Sequence, residues 1–288
     1  MSNYKYPTVE DALNNSNLIT FADAAHSVFT VNFGNTKLVY KSFKDVNVPR
    51  KIKKILRRID SPINRYFASK VNFMNHIDYF DNTFDIESKI LEYWNSKGIS
   101  SIHILEKQDQ ALVFKYFDAI TFEKLLQTED HKSSKYTQLL DVVSSIRDAA
   151  KAEGNSLYLH PDLLPKNFLY LYDNNQTIAI DPGLKLKDLS FEELDAKINL
   201  SFLYHLNKFD SGDGYMDKFL ERLQRDEIKN IREFNNPLRS DVAAYLNLRM
   251  NIVTFLKRIY HRDHNTNNRY IFAPSKTNHI NEILDKHI

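Results

Sequence analysis

The apolar residues change their period once along the chain, and that change limits the fold more than any other feature. Up to about residue 117 the pattern is mostly strand-like, and beyond it mostly helical. Val28 to Phe33 (VFTVNF) and Lys37 to Phe43 (KLVYKSF) are rich in β-branched and aromatic residues. Joined by Gly34-Asn35-Thr36, they predict a β-hairpin. Residues 86–97, IESKILEYWNSK, set Ile86, Ile90 and Trp94 at helical spacing, with Thr83 or Asp85 as cap and Gly98 as stop. SIHILEKQ and ALVFKYF, split by Asp109-Gln110, predict two further strands. FEKLLQ, YTQLLDVVSSIRDAAKAEG and the stretches 191–209 and 240–260 then read as helices. The expectation is an α+β chain of two lobes: a small β-rich lobe with one main helix over residues 1–117, and a larger, mostly helical lobe over residues 118–288.

Composition narrows the function classes. The 288 residues, 42% hydrophobic and 26% charged, suit a globular protein, and no apolar run reaches the roughly 18 residues of a membrane span. The first residues lack the basic-then-apolar pattern of a secretory signal, so the expected location is the cytoplasm. With no cysteine, disulfides, thiolate metal sites and cysteine nucleophiles are excluded. A net charge of +2 is too small to imply nucleic acid.

Against that background residues 160–167, HPDLLPKN, stand out, although 261–268, HRDHNTNN, fit the same spacing of His, Asp and Asn. Context separates the two copies. The first follows a predicted helix and precedes FLYLYDNNQTIAIDPG, a strand, turn and strand ending in Asp181-Pro182-Gly183, which brings Asp162, Asn167 and Asp181 toward one edge. The second comes off the end of a long helix with no acid-ended hairpin after it, so Asp263 and Asn268 read as a polar loop.

On these residues the chain resembles the protein-kinase-like phosphotransferases, in particular the aminoglycoside, choline and lipopolysaccharide-sugar kinase branch. HPDLLPKN is similar to that family's catalytic loop, IAIDPG to its magnesium segment and KLVYK to its nucleotide-lysine strand, and all occur in family order over roughly residues 20–210. The resemblance implies a bilobal kinase fold that uses ATP and Mg²⁺. Asp162 would take the proton of an attacking hydroxyl while His160 braces the loop, and Asn167 and Asp181 would ligate Mg²⁺. Lys41 would meet the nucleotide phosphates, held by Glu87, with Glu92 as the competing glutamate on another helix face. The hinge KYFD, with Tyr116 and Phe117, would meet the adenine unless those rings are ordinary core, and Asp195 would match a helical aspartate that steadies the catalytic loop.

The departures from the family carry information too. Where protein kinases have a glycine-rich loop over the phosphates, this chain has ADAAHSVF, and the whole chain holds only 6 glycines. A catalytically silent nucleotide-binding module therefore stands as the rival reading. Pro182 replaces a phenylalanine, and no Ala-Pro-Glu segment or long activation loop follows Gly183, which favours a small-molecule or glycan acceptor over a protein. Residues 49–60, PRKIKKILRRID, space Ile52, Ile55, Leu56 and Ile59 as the apolar stripe of a basic amphipathic helix. It reads either as a solvated surface helix or as a contact with an anionic surface, such as lipid headgroups at the inner face of the membrane. No aromatic interleaving supports nucleic acid, and none is expected.

Overall fold

The computed structural model describes residues 5–14, 21–22, 26–43, 77–78, 83–109, 111–128, 132–182, 185–186, 190–210, 212, 214–235 and 274–288. The expected basic helix 49–60, the second loop copy at 261–268 and the stretch 240–260 lie outside them. In chain order the first elements are α1 (Val9–Asn14), β1 (Phe21–Ala22), β2 (His26–Phe33), β3 (Thr36–Phe43), β4 (Ile77–Asp78), α2 (Thr83–Ser96), β5 (Ile104–Gln108) and β6 (Ala111–Lys115). The larger half holds β7 (Ala119–Thr121), α3 (Phe122–Gln127), α4 (Lys132–Glu153), β8 (Phe168–Leu171), β9 (Gln176–Ala179), β10 (Lys185–Leu186), α5 (Phe191–Leu206), α6 (Tyr215–Leu220), α7 (Arg225–Asn235) and α8 (Pro274–His287). This is the bilobal α+β architecture that the periodicity implied.

The small lobe is an antiparallel sheet in the order β1-β2-β3-β6-β5. The β2–β3 hairpin turns at Gly34, whose φ of +58° a glycine adopts without Cβ strain. Because side chains alternate along a strand, Leu38 and Tyr40 of β3 point to one face and Val39 and Lys41 to the other. The first face forms a cluster with Phe29, Val31, Ala111 and Val113, covered by Ala12 of α1 and by Tyr6 and Val9. The N-terminal segment is tied down across it: Tyr40 Oη donates to the Pro7 carbonyl at 3.0 Å, as does Gln108 Nε2 at 3.0 Å, and the Lys5 amide donates to Glu106 at 2.7 Å. Burial, with Glu106 and Tyr6 nearby, pushes the Tyr40 phenol up to about 12.

The second face packs on α2. Phe84, Ile90, Leu91 and Trp94 of that helix are buried and belong to the same cluster as Leu112 and Phe114 of the sheet and the core of the larger lobe. The contact with the larger lobe is polar as well as apolar. Trp94 Nε1 donates to the Tyr158 carbonyl at 2.8 Å, Tyr93 Oη donates to the Ala149 carbonyl at 2.9 Å, and the Tyr93 and Tyr158 rings stack 3.6 Å apart.

In the larger lobe β7-β8-β9 form a three-stranded antiparallel sheet beside α3 and α4. Thr121 caps α3, accepting from the Lys124 amide, and Ser190 and Glu193 form a reciprocal capping box that starts α5. Arg147 of α4 is bidentate to Asp195 of α5 at 2.9 and 2.8 Å and lies 3.2 Å from Glu227 of α7, so one buried guanidinium joins three helices. A pair of two-residue strands, β4 with β10, links the segment before α2 to the segment after Asp181. Among the described residues no helix is long and apolar enough to cross a membrane.

Candidate active site

The alternation that buries Leu38 and Tyr40 under the N-terminal segment turns Lys41 inward on the opposite face, where it is 7% exposed. Its Nζ lies 2.7 Å from Glu87 Oε2 and 2.5 Å from Asp181 Oδ1, partners 46 and 140 residues away in sequence. Burial alone would lower the Lys41 pKa, but the two carboxylates outweigh it and hold the ammonium above the ordinary lysine value. Lys37, on the same face, instead sits 3.7 Å above the Tyr116 ring. The glutamate competition is resolved by the helix: Glu87 shares the inward stripe with Ile90, Leu91 and Trp94 and is 1% exposed, while Glu92 faces solvent.

HPDLLPKN is held by its own backbone and by one neighbouring residue. After a turn at Pro161-Asp162, the Leu164 amide donates to the Asp162 carbonyl at 2.8 Å, and a single 3-10 turn spans Pro165–Asn167. Asn167 Nδ2 donates to the Asp162 carbonyl at 2.8 Å and to Asp162 Oδ2 at 2.9 Å, which leaves its Oδ1 without a donor among the described residues. Ile180, next to Asp181, bonds to both ends of the loop. Its amide donates to the Asn167 carbonyl at 2.9 Å, and its carbonyl lies 2.9 Å from His160 Nε2. These bonds place Asp162, Asn167 and Asp181 on one edge.

His160 is 1% exposed and packed between Trp94 and Phe168, with ring centroids 5.4 and 5.5 Å away. Burial pushes its pKa down, so the ring is neutral, and the bond to Ile180 sets the tautomer with the proton on Nε2. Its role is to hold the loop against the strand that ends in Asp181. Asp181 itself adopts φ +54°, a left-handed conformation that aspartate tolerates better than most residues and that recurs at working sites.

Three other residues are placed as follows. Tyr116 continues the β3–β6 ladder, its amide donating to the Lys37 carbonyl at 3.0 Å, so that amide is already engaged. The Phe117 ring lines a separate cleft with Ile99, Leu171 and Ile178. Both carboxylate oxygens of Asp195 are taken by Arg147, so this residue joins α5 to α4 and does not bond to the catalytic loop, contrary to the role the resemblance implied.

Two residues escaped the sequence reading. Lys166 Nζ lies 3.9 Å from Asp162 Oδ2, as its position inside the motif could have suggested. His205, on the last turn of α5, donates from Nδ1 to the Ser201 carbonyl at 2.8 Å; burial first, then Lys208 and Lys166, lowers its pKa to about 4, so it is neutral. Nothing in the local sequence announces its nearness to Lys166.

The oxygen donors suit a hard divalent cation. Asp181 keeps a third of its side chain exposed and Asn167 an unengaged Oδ1, while no group of three or more His, Cys, Asp or Glu that could hold a metal occurs among the described residues. Magnesium typically binds through one or two such oxygens, with waters and substrate phosphates completing the octahedron.

A β3 lysine paired to a helix glutamate, over a loop and a hairpin that bring an aspartate, an asparagine and a second aspartate together in a bilobal α+β fold, is the arrangement that the sequence resemblance implied. No family model matches the chain, and no curated protein matches it. Among solved structures it is similar to WaaP in complex with acyl carrier protein, at 9% identity and TM-score 0.46 over 77% of this chain and 86% of that one. It is also similar to the choline kinase LicA from Streptococcus pneumoniae, at 12% identity and TM-score 0.41 over 94% of both chains. A third is the PknI kinase domain of Mycobacterium tuberculosis, at 10% identity and TM-score 0.38 over 66% of this chain and 73% of that one. At these scores the likenesses carry no weight for chemistry, which rests on this chain's own residues.

Proposed function

We propose that the protein is an ATP- and Mg²⁺-dependent phosphotransferase that phosphorylates a hydroxyl of a small molecule or glycan in the cytoplasm. Its nucleotide lobe would be residues 1–117 and its catalytic lobe residues 118–288. The observation that carries this reading is the Lys41–Glu87–Asp181 cluster, assembled from three distant parts of the chain beside the Asp162–Asn167 pair.

Bound Mg-ATP would supply the phosphoryl group and neutralise charge on it. Asp162, partly exposed and steadied by Asn167, accepts the proton of the acceptor hydroxyl. Asn167 Oδ1 and the Asp181 carboxylate would hold the metal, and the Lys41 ammonium, steadied on one side by Glu87, would neutralise phosphate charge. With the Tyr116 amide engaged in the ladder, the adenine contact falls to the backbone of Phe117 and Asp118. The bonds from Trp94 and Tyr93 to the larger lobe fix α2, and with it Glu87, which supports a permanently assembled site.

The glycine-free ADAAHSVF favours a second reading, a nucleotide-binding module without turnover. Thermal unfolding with ATP, with Mg²⁺ and with both, on the wild type and on Asp181→Ala, tests the nucleotide site. A ligand at about one hundred times its Kd stabilises by roughly 2.7 kcal/mol. The expected result is a rise that needs both and that Asp181→Ala abolishes; no rise at millimolar Mg-ATP would sink the phosphotransferase. Where the rise is seen, the absence of ATP turnover with any hydroxyl acceptor would favour the silent module.

A further inference from the structure

A cleft of about 340 Å³ is lined by the loop after α2, Phe117 and the β8–β9 hairpin. Its size lies at the lower end of the roughly 300–1,000 Å³ range of small-ligand sites. None of Lys41, Glu87, Asp162, Asn167 or Asp181 lines it. Its lining combines the apolar residues Ile99, Leu171, Ile178 and Phe117 with exposed His103.

The rim has an unusual chemistry. Among its described residues there is no lysine, arginine, aspartate or glutamate; apart from the His103 imidazole its polar side chains are amides and hydroxyls. They form a directed chain: Asn174 Nδ2 donates to Gln176 Oε1 at 3.0 Å, and Gln176 Nε2 donates to Ser100 Oγ at 3.1 Å. Each member donates to the next, so the chain ends with the Ser100 O–H ready to donate and begins with Asn174 Oδ1 ready to accept. Bonds of this kind are complementary to groups that both donate and accept, which hydroxyls do and phosphates, carboxylates and ammoniums do not. Without a charge to neutralise an ion, an ionic ligand would bear its desolvation cost uncompensated.

We propose that this cleft is a binding site for a neutral, hydroxyl-rich ring, the chemistry of an uncharged monosaccharide, with the C–H face of the ring on the apolar lining residues and its hydroxyls along the Asn174–Gln176–Ser100 chain. The proposal does not depend on the phosphotransferase reading, because Phe117 is the one lining residue shared with that site and the hydrogen-bonding groups invoked, Asn174, Gln176 and Ser100, belong to none of it. The site is well placed to report on the other one. Ser100 and Ile102 are hydrogen-bonded to Ala179, at 3.0 Å each, and Ala179 lies two residues before Asp181.

The experiment uses the full chain, with methyl glucoside, inositol and glucose 6-phosphate as probes, read by saturation-transfer NMR titration. The variant is His103→Ala/Gln176→Ala, both exposed rim positions. Asn174→Ala serves as the second variant should the first fail to fold. A neutral probe is expected to bind saturably in the millimolar range, about tenfold more weakly in the rim variant, and unchanged in Asp162→Asn. No saturable binding of a neutral probe, a preference for the phosphorylated sugar, or loss of binding in Asp162→Asn with the rim variant unaffected would overturn the proposal. The last of these would move the sugar to the acceptor side of the catalytic loop.

Discussion

Replacing Lys41 by methionine removes the cation that bridges Glu87 and Asp181 and keeps most of the side chain's volume. Both carboxylates approach the vacated Nζ position closely, at 2.7 and 2.5 Å, so they stand no more than about 5 Å apart. At an effective dielectric of about 20 their repulsion is roughly 3 kcal/mol. Breaking a buried pair by deleting one partner generally costs about 3–5 kcal/mol, a large share of a typical total of about 5–15 kcal/mol. The loss must depend on pH. Burial already raises the Glu87 carboxyl, and without the ammonium opposing it the folded-state pKa rises further above the unfolded value of roughly 4.3. A group raised in the fold leaves stability intact below its unfolded pKa and removes it as pH climbs through the folded one. Lys41→Met should therefore be close to wild type near pH 4–5 and about 3–5 kcal/mol weaker at pH 8, by urea unfolding at both pH values. Adding Glu87→Gln should restore roughly 2 kcal/mol at pH 8 and flatten the dependence. A deficit that is equal at both pH values, and to which Glu87→Gln simply adds its own loss, would refute the pairing.

Other perturbations have equally definite outcomes. Asp162→Asn should lower kcat by about 10²–10⁴ while the affinity for Mg-ATP stays within about twofold, and an undiminished kcat would remove Asp162 from the chemistry. Trp94→Phe leaves the Tyr158 carbonyl without its donor, so stability should fall by about 1–3 kcal/mol and amide exchange should quicken in 83–96 but not in 26–43. Neutral His205, with its pKa lowered to about 4, makes the folded protein refuse a proton that the unfolded chain accepts below about 6.5. Stability should thus decline as pH falls from about 6.5 toward 4, and His205→Gln should shallow that limb, with the remainder due in part to His160.

How much of this was legible in the sequence depended on whether a residue's position follows from local period. Lys41 could be read because alternation from Leu38 fixes its face, and Glu87 because it repeats with Ile90, Leu91 and Trp94. The loop copy at 160–167 could be preferred because the hairpin after it ends in an acid. The N-terminal cover was missed: residues 5–14 are short and weakly patterned, and they are held by Glu106, Gln108 and Tyr40, partners that no local spacing reveals. Asp195 was misassigned for a related reason. Its helix was evident, but the arginine it meets lies 48 residues earlier and carries no mark of its partner. His205 and Lys166 approach only because α5 packs against the turn at 165–167.

The way α2 is packed also bears on how the chain comes apart. Ile90, Leu91 and Trp94, together with Leu112 and Phe114 of the small-lobe sheet, belong to the same apolar cluster as the interior of the larger half. Separating the halves at the hinge would uncover the part of that cluster that meets the larger half, Trp94 with its bond to Tyr158 included, at about 1.5–3 kcal/mol for each large side chain. The two halves should therefore melt as one cooperative unit, in a single calorimetric transition, and two separate transitions would refute that coupling.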